Sequence, residues 1–369
     1  MDWLLRYADR AFGVPPQEVL EQYLGGWDSC HLGYAVDESI RAGAASGGLV
    51  SALLIYLLGQ GMVQGALISR LDVQDGQIRA HPYIAHNRAE VLQGQSSIYM
   101  EFPWLREVRQ LLSTIQGSVA LVGLPCQIQA LRRLEDSEPE LASRVRVHVA
   151  LVCGRSSSKQ LLLNVLRAHG IEEKDVADLR FREGHWRGKM HVWLRDGSDV
   201  TFPFNDFSLY RNLHFFCEPK CLYCEDPLGE YADVVCGDVW LHELRQREFK
   251  HSLVISRTPQ VTAWIDAMSA AGSMVTEAIP PATAFRAQRR VLIPAKRAKS
   301  AQARLSGLYG YKMTYQGPWR SRWNDYLGVA LTLFNSRWSA NKRLARWIMR
   351  IPKPLLQLQL VVLSLLKQF

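Results

Sequence analysis

The sequence predicts an α/β protein with a mixed, partly parallel sheet core and flanking helices. Two short apolar runs suited to buried strands, residues 118–122 and 146–152, are each followed by a turn and a helical pattern, over residues 127–134 and 159–169. Two successive strand–turn–helix units imply parallel strands joined by right-handed crossovers. A smaller α+β region that bears cysteines and a helical C-terminal tail complete the predicted architecture.

The segments before this pair fit the same architecture. Residues 46–61 begin with Ser-Gly-Gly, are apolar in the middle and end in glycine, which predicts a buried helix. Residues 66–71 predict a core strand, and Asp75 and Gly76 predict the turn into the next strand. Residues 103–116 have helical periodicity.

The pattern changes in the second half of the chain. Residues 190–194 and 199–204 alternate in polarity around an Asp-Gly pair, which predicts an antiparallel hairpin. A further strand and a further helix are predicted over residues 253–257 and 260–271.

The composition is that of an ordinary globular protein, with 48% hydrophobic and 21% charged residues among 369. The net charge is +9, and most of it lies at the C-terminal end. Residues 318–369 contain nine Lys and Arg against one acid, Asp325, which gives this tail +8 and leaves +1 for the other 317 residues. A body without a basic excess argues against nucleic acid as a partner.

The first residues and the cysteine count indicate the compartment. Asp2, Arg6, Asp9 and Arg10 stand where a secretion signal needs an apolar run, so the sequence predicts a cytoplasmic protein. Seven cysteines, an odd number, in a reducing compartment indicate metal ligation, catalysis or burial rather than a disulfide framework.

Cys221 and Cys224 form a Cys-x-x-Cys pair, a spacing at which two thiolates can bind one metal centre. Zinc, an iron–sulfur cluster and a redox dithiol all use such pairs. A structural zinc site usually gathers its ligands locally, and the local candidates are Cys217 and Cys236.

Cys126 and Cys153 each follow a predicted parallel strand, at the carboxyl end where ligands bind in open α/β sheets. Either one alone is more commonly a small buried hydrophobic residue. Their matching positions favour one iron–sulfur site, shared with Cys221 and Cys224, over zinc.

Three polar turns could approach a cofactor that carries phosphate. Ser46, Gly47 and Gly48 open a helix whose free N–H groups and dipole favour a phosphate, although a plain helix start has the same pattern. Residues 94–97 and 153–156 are further polar turns able to approach a dinucleotide. The sequence contains neither a Gly-x-Gly-x-x-Gly fingerprint nor a Walker A motif, so neither standard fold motif is predicted.

These motifs together resemble the beta-subunit family of coenzyme F(420) (deazaflavin) hydrogenases and dehydrogenases, which includes 7-hydroxymethyl chlorophyll a reductase and a ferredoxin-dependent divinyl chlorophyllide reductase. The resemblance covers residues 30–300, and its most specific stretches are VGLPCQIQAL, KCLYC and GDVW. It implies a flavin- and iron–sulfur-dependent oxidoreductase that binds FAD non-covalently and one 4Fe-4S cluster. Such a protein relays electrons between a ferredoxin-like donor, or a hydrogenase or dehydrogenase subunit, and a hydride acceptor.

The resemblance implies the same four cluster ligands, Cys126, Cys153, Cys221 and Cys224, with Cys217 and Cys236 as spare candidates. Many family members carry a further ferredoxin-type Cys-x-x-Cys-x-x-Cys segment, whereas this chain has an isolated cysteine at position 30, so electrons are expected from a separate partner. The family's common Cys-His-Gly is here Cys-Gly-Arg, which removes a histidine, and no catalytic residue is assigned.

The flavin is expected near the start of the helix that follows Ser46. Arg155 and Arg182 are cationic candidates for stabilising reduced flavin, although exposed arginines are the common alternative. The predicted cofactor-binding residues are Ser46, Gly47, Gly48, Gln95, Ser97, Tyr99, Pro125, Gln127, Arg155 and Arg182.

The chain divides into three predicted parts. Residues 1–170 form an α/β flavin-binding core, residues 171–300 form a hairpin and Cys-x-x-Cys cluster region that completes the core, and residues 301–369 form a basic, Trp-rich helical tail. The alternative function is a catalytically degenerate binding or scaffold member, associated with surface-polysaccharide biosynthesis at the membrane.

The tail suggests a peripheral membrane contact. Its final apolar run, residues 354–366, is shorter than the roughly 20 residues that a membrane-spanning helix needs. Cations and tryptophans beside an apolar stretch are typical of a peripheral anchor on anionic lipid, so residues 318–369 predict contact with the inner face of a membrane. The same pattern fits a helix that packs on its own domain or on a second copy in a homo-oligomer.

Overall fold

The computed structural model describes residues 15–367 of the chain. Asp2, Arg6, Asp9 and Arg10, on which the prediction of a cytoplasmic protein rests, lie outside the described residues. The described residues form strands and helices that alternate along the first half of the chain, as the sequence predicts.

The strands, in chain order, are β1 (Ser29–Ala35), β2 (Gly65–Gln74), β3 (Gln77–Ala85), β4 (Val119–Gly123), β5 (Val145–Leu151), β6 (Val176–Glu183), β7 (Lys189–Leu194), β8 (Asp199–Pro203), β9 (Val234–Asp238), β10 (Ser252–Ser256) and β11 (Met274–Ala278). The helices are α1 (Gln17–Leu24), α2 (Glu38–Gly43), α3 (Leu49–Gly59), α4 (Arg88–Gln93), α5 (Trp104–Thr114), α6 (Pro125–Ser137), α7 (Pro139–Ala142), α8 (Lys159–Ala168), α9 (Asn205–Asn212), α10 (Pro219–Tyr223), α11 (Pro259–Ala270), α12 (Pro281–Lys296), α13 (Lys299–Ser306), α14 (Trp323–Ala340), α15 (Lys342–Ile348) and α16 (Lys353–Leu366).

Eight strands form one sheet in the order β11-β1-β10-β9-β5-β4-β2-β3. The four central strands, from β9 to β2, run parallel, and the strands outside them pair antiparallel. At the centre Leu67 pairs with Leu121, and Val149 pairs with Val234. All four side chains are buried, as expected for parallel strands covered by helices on both faces. The predicted mixed, partly parallel sheet is confirmed.

The turn and helix starts follow from residue type. Asp75 and Gly76 adopt positive φ angles of 52° and 71° between β2 and β3, a conformation that favours glycine and aspartate. Gly48 precedes α3 with a φ of 82°. Helix α3 is apolar on nearly all sides and buries Leu54 and Leu57 completely or nearly so, which confirms the predicted buried helix.

A second, three-stranded antiparallel sheet has the order β6-β7-β8. Its β7–β8 hairpin is the predicted one, whereas β6 has no counterpart in the sequence predictions. Phe181, Phe207 and Phe215 are buried in the core that this sheet shares with neighbouring helices. Strands β9 and β10 follow this sheet in the chain but join the large one, so residues beyond 171 complete the main sheet. The exact three-part division of the chain stays a prediction.

The tail folds as helices against the rest of the chain. Helix α14 packs on α13. Arg297, which follows α12, forms a buried, two-point ion pair with Asp325 of α14 at 2.9 Å for each bond. Leu356 and Leu363 of α16 are buried in the core that contains Phe207. By length and apolar composition, no single helix within residues 15–367 could cross a membrane, while α15 and α16 meet that test only as a pair bent by 101°.

Candidate functional site

A cavity of about 730 Å³ opens at the carboxyl ends of the parallel strands β4, β5 and β9. The chain leaves β4 through Gly123 and Leu124, and it leaves β5 through Val152 and Cys153, and all four residues line the cavity. This is the edge at which open α/β sheets bind ligands. The volume is in the range of pockets for cofactors and other small molecules.

Most of the predicted cofactor-binding residues line this cavity. They are Ser46, Gly48, Gln95, Ser97, Tyr99, Pro125, Gln127 and Arg155. Their roles toward a cofactor stay predictions, but segments that lie far apart in the sequence are brought to one surface.

Gly47 and Arg182 lie outside the lining of the cavity. A side chain at Gly47 would collide with the carbonyl oxygen of Gly33, so this glycine allows α3 to approach β1 closely. Arg182 is buried and pairs with Asp238 at 2.5 Å. Asp238 itself lines the cavity, so Arg182 contacts a residue of the site but not the cavity.

The four predicted cluster cysteines all line the same cavity. Cys126 is exposed in the first turn of α6, and Cys153 follows β5. Cys221 lies in α10 and Cys224 directly after it. Burial raises the pKa of Cys153, and the neighbouring Cys221 thiol adds to this increase, which places the thiols within electrostatic reach of one another.

The two spare cysteines differ in position. Cys236 lines the cavity from β9, whereas Cys217 lies outside the lining and beside Cys221. A hydrogen bond from Cys217 lowers the pKa of Cys221 to about 6, with help from the Ser156 N–H group, which donates to the Cys221 sulfur at 3.2 Å. The same interaction raises the pKa of Cys217 well above its usual value.

No group of three or more His, Cys, Asp or Glu side chains within residues 15–367 is arranged to hold a metal ion. The four cysteines supply thiol sulfurs, a donor that both zinc and an iron–sulfur cluster accept. The donor set of Cys126, Cys153, Cys221 and Cys224 is the set that a 4Fe-4S cluster requires.

Positive charge surrounds the inner side of these cysteines. Arg155 and Arg211 donate hydrogen bonds to each other's carbonyl oxygen, at 3.1 and 2.7 Å. Lys299 donates to the carbonyl of Leu222 at 2.9 Å, and burial lowers its pKa to about 8. Burial also lowers the pKa of Arg155 to about 10. In these contacts the three cations donate to carbonyl oxygens and not to carboxylates. Their positive charge therefore favours an anionic group in the site.

Arg211 is a site residue that the sequence analysis did not predict. It lines the cavity from α9 and places its guanidinium 4.7 Å from the centroid of the Tyr99 ring. Its Nε is buried and meets no acceptor among residues 15–367. A single arginine in an ordinary helical pattern carries no local signal of this role, since α9 reaches the cavity only through the tertiary fold.

Two carboxyl groups at the same edge were also not predicted. Glu101 lines the cavity, and Glu218 lies close enough for the two to interact. Burial, together with the negative charge of Glu101, raises the pKa of Glu218 to about 7. Glu218 can therefore hold or release a proton near neutral pH.

The cavity lies at the strand ends of an open α/β sheet and is lined by thiols, with cations behind them. Such a site is typical of a protein that binds a cofactor or another small molecule. Two family models match the chain: the coenzyme F420 hydrogenase/dehydrogenase beta subunit N-term over residues 30–108, and the C terminus of the same subunit over residues 116–282. The chain belongs to the coenzyme F420 hydrogenase/dehydrogenase beta-subunit family, and the resemblance read from its motifs is confirmed.

Individual relatives agree with this assignment. The beta subunit of coenzyme F420 hydrogenase from Methanosarcina barkeri is 24% identical over 60% of this chain and 74% of its own length. The corresponding subunit from Methanococcus voltae is 26% identical over 69% and 86%. A coenzyme F420-dependent sulfite reductase from Methanocaldococcus jannaschii is 27% identical over 52% of this chain and 30% of its own length. These relatives support an oxidoreductase role for the chain.

A solved structure shares the fold. A chain of the F420-reducing [NiFe] hydrogenase complex from Methanosarcina barkeri superimposes with a TM-score of 0.59 and 21% identity. The match covers 79% of this chain and 97% of the other. The predicted fold class is thereby confirmed.

Proposed function

We propose that the chain is a flavin- and iron–sulfur-dependent oxidoreductase subunit that binds FAD and one 4Fe-4S cluster. The observation that carries this proposal is that Cys126, Cys153, Cys221 and Cys224, which come from three separate segments, line one cavity at the strand ends. Electrons would pass between a ferredoxin-like donor, or a hydrogenase or dehydrogenase subunit, and a hydride acceptor of the coenzyme F420 type.

The chemistry divides between the bound groups and the chain. The cluster supplies one-electron transfer and FAD supplies hydride transfer when they are bound. The four cysteines would hold the cluster, and the Ser156 N–H group would donate to the Cys221 sulfur, an interaction that stabilises a thiolate. Ser46 and Gly48, at the start of α3, would receive a phosphate or another polar part of FAD.

The charged residues of the site have separate roles. Arg155 and Arg211 lie behind the cysteines and in the cavity wall, where they would favour the anionic, reduced state of a bound group. Glu218, with its pKa raised to about 7, would exchange a proton with the cavity through its neighbour Glu101.

The names of the relatives support a subunit role. They describe beta subunits of hydrogenases and dehydrogenases, so a hydrogenase or dehydrogenase subunit is the favoured partner. The same names describe oxidoreductases, and they do not favour the alternative of a scaffold in surface-polysaccharide biosynthesis.

Anaerobic purification tests the proposal. The wild type should be brown-yellow, release FAD on heating and contain roughly four irons per chain, the stoichiometry of one cubane cluster. Cys221→Ala should lose most of its iron, because Cys221 lines the cavity. Cys30→Ala is the matched control, since Cys30 is buried in strand β1 and does not line that cavity.

Two results would contradict the proposal. The first is a wild type without iron or flavin after expression with cluster-assembly proteins. The second is a protein that contains zinc in place of iron by metal analysis, which would leave the Cys-x-x-Cys pair as a structural site.

A further inference from the structure

The tail helices use one face to pack on the protein. Helix α14 buries Val329 and Leu333 against a cluster that includes Cys217 and Leu222. Helix α16 buries Leu356 in the core below the small sheet. The tail is therefore a fixed part of the fold, and its opposite face is the one available to a partner.

That opposite face carries large apolar side chains. In α14 they recur at four- and seven-residue intervals, and in α16 at three- and four-residue intervals, so each set forms one stripe along its helix. We call the two stripes together the tail patch. Its residues, from 73% exposed at the first to 44% at the last, are Trp323, Leu327, Phe334, Leu355, Leu358 and Val362.

The two stripes lie side by side because α14 and α16 pack antiparallel. Asn324, at the start of α14, donates a hydrogen bond of 2.7 Å to the carbonyl oxygen of Leu366, at the end of α16. Farther along, Gln359 donates to Asn335 at 3.2 Å. These contacts define the seam between the helices, and the exposed stripe of each helix adjoins it. Six large apolar side chains exposed on two adjacent helices are typical of an interaction site.

The helix that links α14 to α16 is basic, and its charge indicates the partner of the tail patch. Helix α15 and the turn after it expose Lys342, Arg343, Arg346 and Arg350. The side chains of Arg346 and Arg350 lie over the Trp347 ring, at 5.8 and 4.6 Å from its centroid. Exposed tryptophan with arginine beside an apolar face is typical of a helix that lies in the headgroup region of a bilayer.

The tail has almost no negative charge to oppose these cations. Asp325 is the single acid between residues 318 and 369, and it is buried against Arg297. The solvent-facing charge of the tail is therefore positive, which matches the anionic surface of a membrane.

We propose that the tail patch binds the surface of an anionic lipid bilayer, with the side chains of Leu327, Leu358 and their neighbours inserted and the cations of α15 at the headgroups. The contact is peripheral, because the buried faces of α14 and α16 stay on the protein. This inference does not depend on the cofactors that the cavity binds.

Vesicle sedimentation with the full chain tests the proposal. The wild type should bind vesicles made of equal amounts of phosphatidylcholine and phosphatidylglycerol, and it should bind pure phosphatidylcholine much more weakly. The double variant Leu327→Glu, Leu358→Glu should lose roughly tenfold or more of its affinity, because two carboxylates would enter the apolar layer. The double variant Arg343→Gln, Arg346→Gln should bind roughly tenfold more weakly and lose most of its preference for the anionic lipid.

Val275→Glu is the matched control, since Val275 is a similarly exposed apolar residue on β11, outside the tail. It should bind as the wild type does, and circular dichroism should show that every variant is folded. Equal binding by the wild type and the Leu327→Glu, Leu358→Glu variant, or no binding by the wild type, would overturn the proposal. A wild-type dimer in sedimentation velocity that Leu358→Glu dissociates, without any lipid binding, would instead assign the patch to a second copy.

Discussion

The Nζ atom of Lys367 lies 3.0 Å from Nε2 of His214, and this contact joins the end of the tail to the layer behind the cysteines. Burial, together with the nearby charge of Arg155, lowers the pKa of both groups well below their ordinary values. Two basic groups can lie in contact without charge repulsion when they are neutral. The contact therefore indicates that Lys367 and His214 are unprotonated in the folded protein.

Lys367→Met should change how stability depends on pH. The pKa of Lys367 is lower in the folded state than the 10.5 of a free lysine, so at pH values between the two pKa values the unfolded chain binds a proton that the folded chain does not. The free energy of unfolding of the wild type should therefore rise with pH relative to that of the variant, by up to about 1.4 kcal/mol for each pH unit, until the pH passes 10.5. Denaturant titrations at several pH values measure this difference.

Lys353→Met is the control for that experiment. Lys353 pairs with Asp206 at 2.8 Å and its side chain is half exposed, so Lys353→Met removes a lysine of the same tail at a cost in unfolding free energy of less than about 1 kcal/mol. Parallel pH curves for the wild type and Lys367→Met would show that Lys367 is solvated rather than buried.

Asp325→Asn should destabilise the protein strongly. Asp325 accepts two hydrogen bonds from Arg297, and both side chains are buried, so the substitution leaves a buried guanidinium without its counter-charge. We expect a loss of about 3–5 kcal/mol in the free energy of unfolding by denaturant titration. Glu243→Gln breaks the exposed pair with Arg286 and should cost less than about 1 kcal/mol. Similar losses for the two variants would contradict the burial of the Arg297 pair.

Local sequence patterns predicted the centre of the fold well. The apolar runs before Cys126 and Cys153 became the parallel strands β4 and β5, and Asp75 and Gly76 made the predicted turn. Of the strands that were not predicted, β1, β9 and β11 have partners in distant segments; Leu32, for example, pairs with both Leu253 and Glu277. The fourth, β6, pairs with the adjacent strand β7. The periodicity of one segment can predict a strand, but it does not predict which distant strand will pair with it or in what register.

The residues of the site also fall into two groups, those that local sequence predicts and those that only the fold reveals. A cysteine at a strand end and a Cys-x-x-Cys pair carry their chemistry in local sequence, and the fold brings them to one cavity. Arg211 reaches the cavity from a helix whose sequence is ordinary, so it could be found only once α9 was placed. Gly47 shows the opposite case, since a glycine predicted to contact a cofactor lies outside the cavity lining and in close contact with β1.

Gly47→Ala should therefore destabilise the fold whether or not a cofactor is bound. The new methyl group would collide with backbone atoms of Gly33 and Ser252, which belong to two neighbouring strands and have little freedom to move. We expect a loss of about 1–3 kcal/mol in the free energy of unfolding. Gly59→Ala, at the other end of α3, meets no atom within 4 Å and should be neutral or stabilising. A Gly47→Ala protein with unchanged stability and weakened FAD binding would show a direct role in the cofactor site.

Cys126→Ser and Cys217→Ser should separate a cluster ligand from a supporting cysteine. Cys126 is exposed to the cavity, so its loss removes one of four thiolates, and iron per chain and the low-temperature electron paramagnetic resonance signal should both fall by more than half. Cys217 lies outside the lining and hydrogen-bonds Cys221, a role that a serine hydroxyl can partly replace, so Cys217→Ser should keep its iron and change mainly the reduction potential. The reverse result, with iron lost from Cys217→Ser and kept in Cys126→Ser, would contradict this assignment. It would make Cys217 the fourth ligand in place of Cys126.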